Sequence, residues 1–324
     1  MILLAVVHQI PEKYSNLSTL FDACQLNTIP FDLTGDFSFL MPIFGLNKGC
    51  GGSNPCPICV MRKTTAGGQG SRWVGETHHR TLGSLYTNYA GWVFDGMDSS
   101  AAGTRKWESV CESPLISIGQ GRKLEDLILK GLIPGPLHLF LSWNEIVNFL
   151  EKTDWPEIKM VLRHELGVKN HVYQGKVGNY EGPSIHKVLR NLHKLEPYMP
   201  EGSKLHLYYN TFVAFKDVAG SLLSTELSPQ WRAKIHQLRH RIIKLHTDYG
   251  MNISPKLHIL IVHVEEWVDM HGRSLGKEGE QHGESVHHHW RRLLETVGHP
   301  KVLESPAYIN VIMKCLLIFN SNNV

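Results

Sequence analysis

Two cysteines and two histidines have the spacing in this sequence that points most directly to chemistry. Cys56 and Cys59 stand in a stretch rich in glycine and proline, where a tight turn lets two sulfurs reach one tetrahedral zinc ion. Four-coordinate zinc needs two more ligands. His258 and His263 have the spacing of zinc-binding histidines, although they stand roughly two hundred residues later. A zinc ion held by these four residues would join distant parts of the chain.

The identity of the second ligand pair stays open on spacing alone. His78 and His79 are nearer to the cysteines, and Cys50 could replace one histidine. His258 and His263 could equally be core histidines that bond to the backbone. Five residues of a regular helix rotate by about 500°, which leaves the two imidazoles on different faces. This pair can share one ion only where a helix begins or is distorted.

Asp36 and Glu284 are the carboxylates that could bind a catalytic divalent cation. Asp36 precedes the apolar segment 37–44, which we predict to be a strand, and carboxylates at such positions serve many α/β nucleases. Glu284 lies in a segment rich in His and Glu that leads into a predicted helix. Two divalent cations about 4 Å apart can activate water and stabilise a leaving oxygen in phosphodiester cleavage. The alternatives are a turn aspartate and a glutamate that favours a helix N-terminus.

The elements that position these residues are predicted to be α/β at the start and mainly helical afterwards. A strand at 2–7 and a helix at 14–24 precede the predicted strand at 37–44, whereas residues 64–121 show little periodicity. Further helices are predicted at 137–152, 155–166, 184–195, 211–223 and 229–249. We divide the chain into an α/β part with the Cys-x-x-Cys turn (1–60), a helical insertion (61–255) and a C-terminal part with the histidine pair and Glu284 (256–324).

The segment 229–249 is the clearest predicted helix. Ser228 is the expected N-cap and Gly250 the expected C-cap. Apolar residues recur at helical spacing on one face, and arginines and lysines cover the rest. That basic face could bind phosphates, or it could be an ordinary solvated surface.

Composition places only broad limits on partners. The chain has 324 residues with 42% hydrophobic content, enough for a sizeable core, and its formal charge of +3 permits nucleic acid without requiring it. Six scattered cysteines do not resemble a disulfide-rich secreted domain, which favours a reducing compartment. No run approaches the roughly 20 apolar residues of a membrane span, so we expect no membrane partner.

Taken in order, these motifs resemble the Transib transposases and the catalytic subunit of the V(D)J recombinase, which share an RNase H-like DDE core. Asp36 stands 20 residues before Cys56, which resembles the second catalytic aspartate of the family and its zinc cysteines. The segment around His258 and His263 resembles the zinc-histidine segment of the family. Glu284 follows 21 residues after His263, where the family has its catalytic glutamate.

The resemblance implies an α/β fold with a partial RNase H-like core and a large, mainly α-helical, zinc-stapled insertion. It implies metal-dependent cleavage and transfer of DNA strands, a nuclear location, and DNA as partner, with a homodimer as an option. Asp36 and Glu284 would bind Mg²⁺ or Mn²⁺, and the structural zinc would be held by Cys56, Cys59, His258 and His263. The first catalytic aspartate of the family would precede Met1, so we expect a core that is truncated at its N-terminus and incomplete.

Two other functions remain open at this point. A catalytically dead, zinc-stabilised transposon remnant could bind DNA or protein without cutting DNA. A metal-dependent hydrolase could instead use the histidines and glutamates between residues 271 and 289. Substitution of Asp36 should abolish divalent-metal binding in the transposase interpretation and leave such a hydrolase active.

Overall fold

The computed structural model, which describes residues 13–46, 53–64, 72–74, 78–173, 176–278 and 310, is mainly α-helical. Its α-helices are α1 (Tyr14–Ala23), α2 (Phe37–Ile43), α3 (Leu82–Phe94), α4 (Ala101–Lys106), α5 (Pro136–Leu141), α6 (Trp143–Thr153), α7 (Ile158–Leu166), α8 (Gly182–Arg190), α9 (Lys204–Leu222), α10 (Trp231–Tyr249), α11 (Pro255–His258), α12 (Val264–His271) and α13 (Leu275–Glu278). Short 3-10 helices lie at Leu26–Thr28, Ile118–Gln120, Ile128–Lys130, Leu192–Lys194 and Glu196–Tyr198.

The strands of the described ranges form two separate antiparallel hairpins. β1 (Arg62–Thr64) pairs with β2 (Arg72–Val74), and β3 (Asn170–Tyr173) pairs with β4 (Lys176–Tyr180). Neither hairpin extends into a larger sheet within these ranges. The part of the fold that the structure describes is therefore helical, and the predicted α/β character is limited to these short strands.

The N-terminal region confirms one predicted element and corrects another. The helix expected at 14–24 is present as α1, but the strand expected at 37–44 is the helix α2. Asp36 is its N-cap, because one carboxylate oxygen accepts the Phe39 N–H at 2.9 Å. A short apolar run fits a buried helix as well as a buried strand, and the cap favours the helix. The strand predicted at 2–7 lies outside the described residues.

The predicted helices of the middle region are present, with changed ends. The helix expected at 137–152 is divided at Ser142 into α5 and α6, and the one expected at 155–166 begins at Ile158. The stretch 64–121, which shows no clear periodicity, contains α3 and α4. Thr81 and Ser84 form a capping box that starts α3.

Helices α9 and α10 form an antiparallel pair of 19 residues each. The apolar residues predicted to face the core from α10 are fully buried, and Gly250 ends the helix with a φ of 75°. Helix α10 begins at Trp231 after Gln230, rather than directly after Ser228. No helix in the described ranges combines the length and the apolarity that a membrane crossing requires.

Helix α6 connects the middle helices to the second hairpin. Its fully buried Trp143 packs against Phe212 of α9, with ring centroids 5.3 Å apart. The neighbouring Asn144 side chain donates to the Tyr180 carbonyl (2.9 Å) and accepts the Tyr180 N–H (2.8 Å). This side chain therefore binds the end of β4 as another strand would. One connected core of buried side chains runs from Leu17 to Leu275.

Candidate metal centre

The Cys-x-x-Cys turn is buried and tightly bonded within itself. Cys56, Ile58 and Cys59 have no exposed surface, and the Cys56 sulfur accepts the Ile58 N–H at 3.4 Å. The Asn54 side chain donates to the Val60 carbonyl at 2.6 Å across the turn. These bonds hold both sulfurs on the inner side of the loop, where a metal ion would lie.

A fully buried arginine, Arg80, bonds to the backbone of this turn. The Arg80 guanidinium donates to the carbonyls of Cys56 (3.2 Å), Asn54 (3.3 Å) and Glu108 (2.8 Å). It also lies 3.5 Å from the Glu108 carboxylate. Burial lowers the pKa of Arg80, but a guanidinium titrates so high that the group stays charged. The position of Cys56 therefore depends on a buried cation 24 residues later in the chain.

The two histidines reach one side of their helix through a local change of winding. Residues Ile259–His263 form a π-helical turn between α11 and α12, and the Val264 N–H bonds to the Ile259 carbonyl five residues earlier. A turn closed by bonds between residues five apart brings such residues close to one face. The Nε2 atoms of His258 and His263 are 3.2 Å apart. The distortion that the spacing requires is therefore present.

The four predicted zinc ligands converge on one buried cluster. Their ligand atoms lie within 4.8 Å of one another. The Cys59 sulfur is 3.3 Å from His258 Nε2, although 199 residues separate them in the chain. A zinc tetrahedron with Zn–N near 2.1 Å and Zn–S near 2.3 Å places neighbouring ligand atoms about 3.4–3.8 Å apart. The observed distances are close to these values, so the cluster could hold a metal such as zinc.

Ionisation of the thiols also suits metal binding. Burial raises the pKa of Cys56, whereas the hydrogen bond with Cys56 and bonds to both imidazoles lower the pKa of Cys59. The cluster thus favours one thiolate beside a neutral thiol, and a bound cation would favour loss of the second proton. All four ligands are buried, so the site is closed. A closed Cys₂His₂ set is typical of structural zinc rather than catalytic zinc.

An outer layer of residues orients one of the histidines. His263 Nδ1 lies 2.6 Å from one Glu266 oxygen, and the other oxygen lies 3.4 Å from His79 Nε2. Against the opposing effect of burial, bonds with His263 and His79 lower the pKa of Glu266 to about 2. A carboxylate in this place holds the proton of His263 on Nδ1 and leaves Nε2 for the metal.

His78 and His79, the alternative zinc ligands, lie outside the four-residue cluster. His79 Nε2 contacts Glu266, and its backbone pairs with that of Cys59 in an antiparallel bridge. His79, His263 and Glu266 form a second group of potential ligands, but His263 Nε2 faces His258. His78 is exposed, and its carbonyl accepts the Val60 N–H. Cys50 lies outside the described residues.

Of the two predicted catalytic carboxylates, Asp36 is the one that lies in the described part of the chain. Asp36 caps α2 and belongs to none of the groups of three or more potential metal ligands found there. Glu284 lies outside the described residues, as does most of the segment 271–289 that the hydrolase alternative requires.

Sequence reasoning missed the two residues that support the ligands. Glu266 follows His263 by three residues, a spacing that places side chains next to each other on a helix, so its role had a usable signal. Arg80 had none, because a single arginine in a stretch without clear periodicity gives no sign of burial. Comparison with known protein families finds none that matches this chain, and a search of curated proteins finds no similar sequence.

Proposed function

We propose that this protein is a zinc-stapled core of the Transib transposase and V(D)J recombinase type and that it acts on DNA. The observation that carries the proposal is the convergence of Cys56, Cys59, His258 and His263 on one buried site. The resemblance assigns zinc to these four positions in this order. Because the two pairs stand about two hundred residues apart, their meeting depends on the whole intervening fold.

The reaction that we propose is metal-dependent cleavage and transfer of DNA strands, carried out by an RNase H-like core in the nucleus. Asp36 and Glu284 would bind Mg²⁺ or Mn²⁺, which activates water and stabilises the leaving oxygen. Asp36 is half-buried at the start of α2. Its bond to the Phe39 N–H leaves room for a metal, because a carboxylate offers about four lone-pair sites.

A second candidate is a zinc-stabilised remnant that binds DNA or protein without catalysis. The observation that favours it is that Asp36 belongs to none of the groups of three or more potential metal ligands in the described ranges. Both candidates need the zinc site, whereas only cleavage needs the Asp36 carboxylate. Assembly as a homodimer is compatible with either candidate.

Substitution of Asp36 separates the two candidates without damage to α2. Asparagine caps helices about as well as aspartate, so Asp36→Asn removes the charge and keeps the cap. Asp32, an exposed aspartate four residues earlier, provides the control Asp32→Asn. The zinc-loaded protein is incubated with duplex DNA and Mn²⁺, and nicked products are separated on denaturing gels.

Nicking by the wild type and by Asp32→Asn, together with its loss in Asp36→Asn, would support cleavage. Binding of DNA by all three proteins without nicking would favour the non-catalytic candidate. Failure of the zinc-loaded wild type to bind DNA at all would overturn the proposal that the protein acts on DNA.

A further inference from the structure

Positive charge is concentrated in the region from α7 to the 3-10 turn at Leu192–Lys194. Residues 158–194 contain seven lysines and arginines against two glutamates, Glu165 and Glu181. This excess of five is larger than the +3 of the whole chain, so the rest of the protein carries net negative charge. The region is thus a localised basic segment within a nearly neutral chain.

Helix α8 and the 3-10 turn that follows it expose their basic side chains to solvent. The residues buried in the core are Ile185, Val188, Leu189 and Leu192. The residues exposed on the other side are His186, Lys187, Arg190, His193 and Lys194. Within α8, spacings of three and four residues place His186, Lys187 and Arg190 on one face, and His193 and Lys194 follow on the 3-10 turn. No aspartate or glutamate stands between Glu181 and Glu196 in the sequence.

The end of α7 lies beside α8, and two further exposed cations stand there: Arg163 in α7 and Lys169 shortly after it. The Lys187 ammonium donates to the Gly167 carbonyl at 3.2 Å, and the Gly167 N–H bonds to the Arg163 carbonyl at 2.8 Å. The Ser184 hydroxyl bonds to the Lys169 carbonyl at 3.1 Å. We call Arg163, Lys169, Lys187, Arg190 and Lys194 the basic surface. All five side chains are exposed. The ion pairs found between described residues in this part of the chain belong to Lys159 and Lys204 instead.

The basic face predicted on α10 differs in this respect. Arg239 donates to a Glu265 oxygen at 2.6 Å and to the Ile261 carbonyl, and Arg232 donates to Glu265 and Asp269. Both arginines therefore pair with carboxylates of α12, and Arg239 also bonds to the π-helical turn. Of the two basic helix faces, the one on α8 is therefore better suited to an external anion.

We infer that the basic surface binds the sugar–phosphate backbone of duplex DNA. This inference rests on the proposed function, because it names the surface through which the protein would hold its DNA. Closely spaced lysines and arginines favour an extended polyanion over a single phosphate, since each neutralised phosphate releases condensed counterions. Glu165, which stands between Arg163 and Lys169 in the sequence, accepts a bond from the Tyr198 hydroxyl at 2.9 Å. Binding should be insensitive to base sequence and strongly dependent on salt.

The test compares two variants that lose the same charge. The first carries Lys187→Gln, Arg190→Gln and Lys194→Gln in the basic surface. The control carries Lys106→Gln, Lys130→Gln and Lys244→Gln, which remove exposed lysines that are each paired with an aspartate. Affinity for a fluorescent 20-base-pair duplex is measured by anisotropy over a series of salt concentrations, and circular dichroism verifies the fold of each protein.

We expect the slope of log affinity against log salt concentration to become shallower by about 2.7 in the first variant, at about 0.9 per lost phosphate contact. The control should keep the wild-type slope. If the wild type binds the duplex and both variants keep its slope, the basic surface is wrong and the proposed function stands. If the wild type does not bind duplex DNA, the proposed function fails together with the surface. If the first variant loses the wild-type binding to phosphatidylserine vesicles but binds DNA as the wild type does, the surface binds membranes. That result would overturn the inference.

Discussion

The metal centre and the turn at Asp36 are both predicted from the sequence to bind metal ions, yet they differ in how the fold holds them. At the metal centre, the Cys56 turn is fixed by Arg80, and His263 is fixed by Glu266. Asp36 makes a local bond to the start of its own helix. The Cys56 turn is thus held by a buried residue 24 positions later in the chain, whereas the bond from Phe39 to Asp36 is the one that a helix N-cap ordinarily makes.

Loss of the zinc ligands should have the largest effect. We expect the double variant Cys56→Ser, His258→Ala to lose its zinc and at least about 5 kcal/mol of stability, because the free energy of zinc binding adds to that of folding at such sites. Elemental analysis and thermal unfolding with and without a strong chelator measure both effects. The double variant Cys24→Ser, His164→Ala removes a cysteine and a histidine outside the cluster and should keep one zinc per chain. If the chelator does not change the thermal unfolding of the wild type, the structural role of the zinc is contradicted.

Removal of the buried guanidinium should be the next most damaging change. Arg80→Met leaves the carbonyls of Asn54 and Cys56 without their donor, so we expect a loss of roughly 3 kcal/mol in urea unfolding of the zinc-loaded protein. Arg105→Met, a change at an exposed arginine, should cost little. Equal stability of the two variants would show that the turn does not need its buried support.

Neutralisation of the Glu266 carboxylate should weaken zinc binding without abolishing it. Glu266→Gln keeps the shape of the side chain and should lower zinc affinity about 10- to 100-fold, because His263 loses its charged partner. Competition with a calibrated chelator measures this change. Glu265→Gln alters the adjacent glutamate, which bonds to α10 instead, and should have a much smaller effect. A similar loss in both variants would point to general damage of α12.

The contact between Glu266 and His263 should stabilise the metal-free protein over a limited range of pH. The pKa of Glu266 is lowered to about 2, so its contribution is present above its ordinary value near 4.5 and is lost as the pH falls towards 2. Bonds to Cys59 and Glu266 outweigh burial and raise the pKa of His263, so its contribution is present below about pH 6.5 and is lost at higher pH. The stability difference between wild type and Glu266→Gln should therefore be greatest near pH 5–6 in urea titrations.

Substitution of Asp36 should have the smallest effect on stability. Asp36→Ala removes the cap of α2 and should cost about 1 kcal/mol, whereas Asp36→Asn should change stability by only a few tenths. Chemical unfolding of the zinc-loaded protein measures both values. A loss of several kcal/mol in Asp36→Asn would mean that the carboxylate has a structural role beyond capping.

The sequence predicted the ligands of the metal centre better than the elements that carry them. Cys56 and Cys59 are identified by spacing, because a short turn alone sets the distance between their sulfurs. The spacing of His258 and His263 predicts that a distortion is needed, but its form depends on packing against α10. Helix α2 (Phe37–Ile43) was missed because an apolar run that is buried on most sides has neither the helical nor the strand period. The signal that could have predicted this helix was Asp36, because aspartate is a common N-cap residue.

The π-helical turn between the histidines also affects how this segment tolerates a change of length. A π turn is equivalent to one residue inserted into an α-helix. Deletion of one residue between His258 and His263 would restore a regular helix with histidines four apart, which still share a face. Because His258 ends α11 and His263 directly precedes α12, a shared face for the two histidines also means that α11 keeps its orientation relative to α12. The π turn thus absorbs one residue without rotating the helices on either side, whereas one residue more or less in a regular helix rotates them by about 100°.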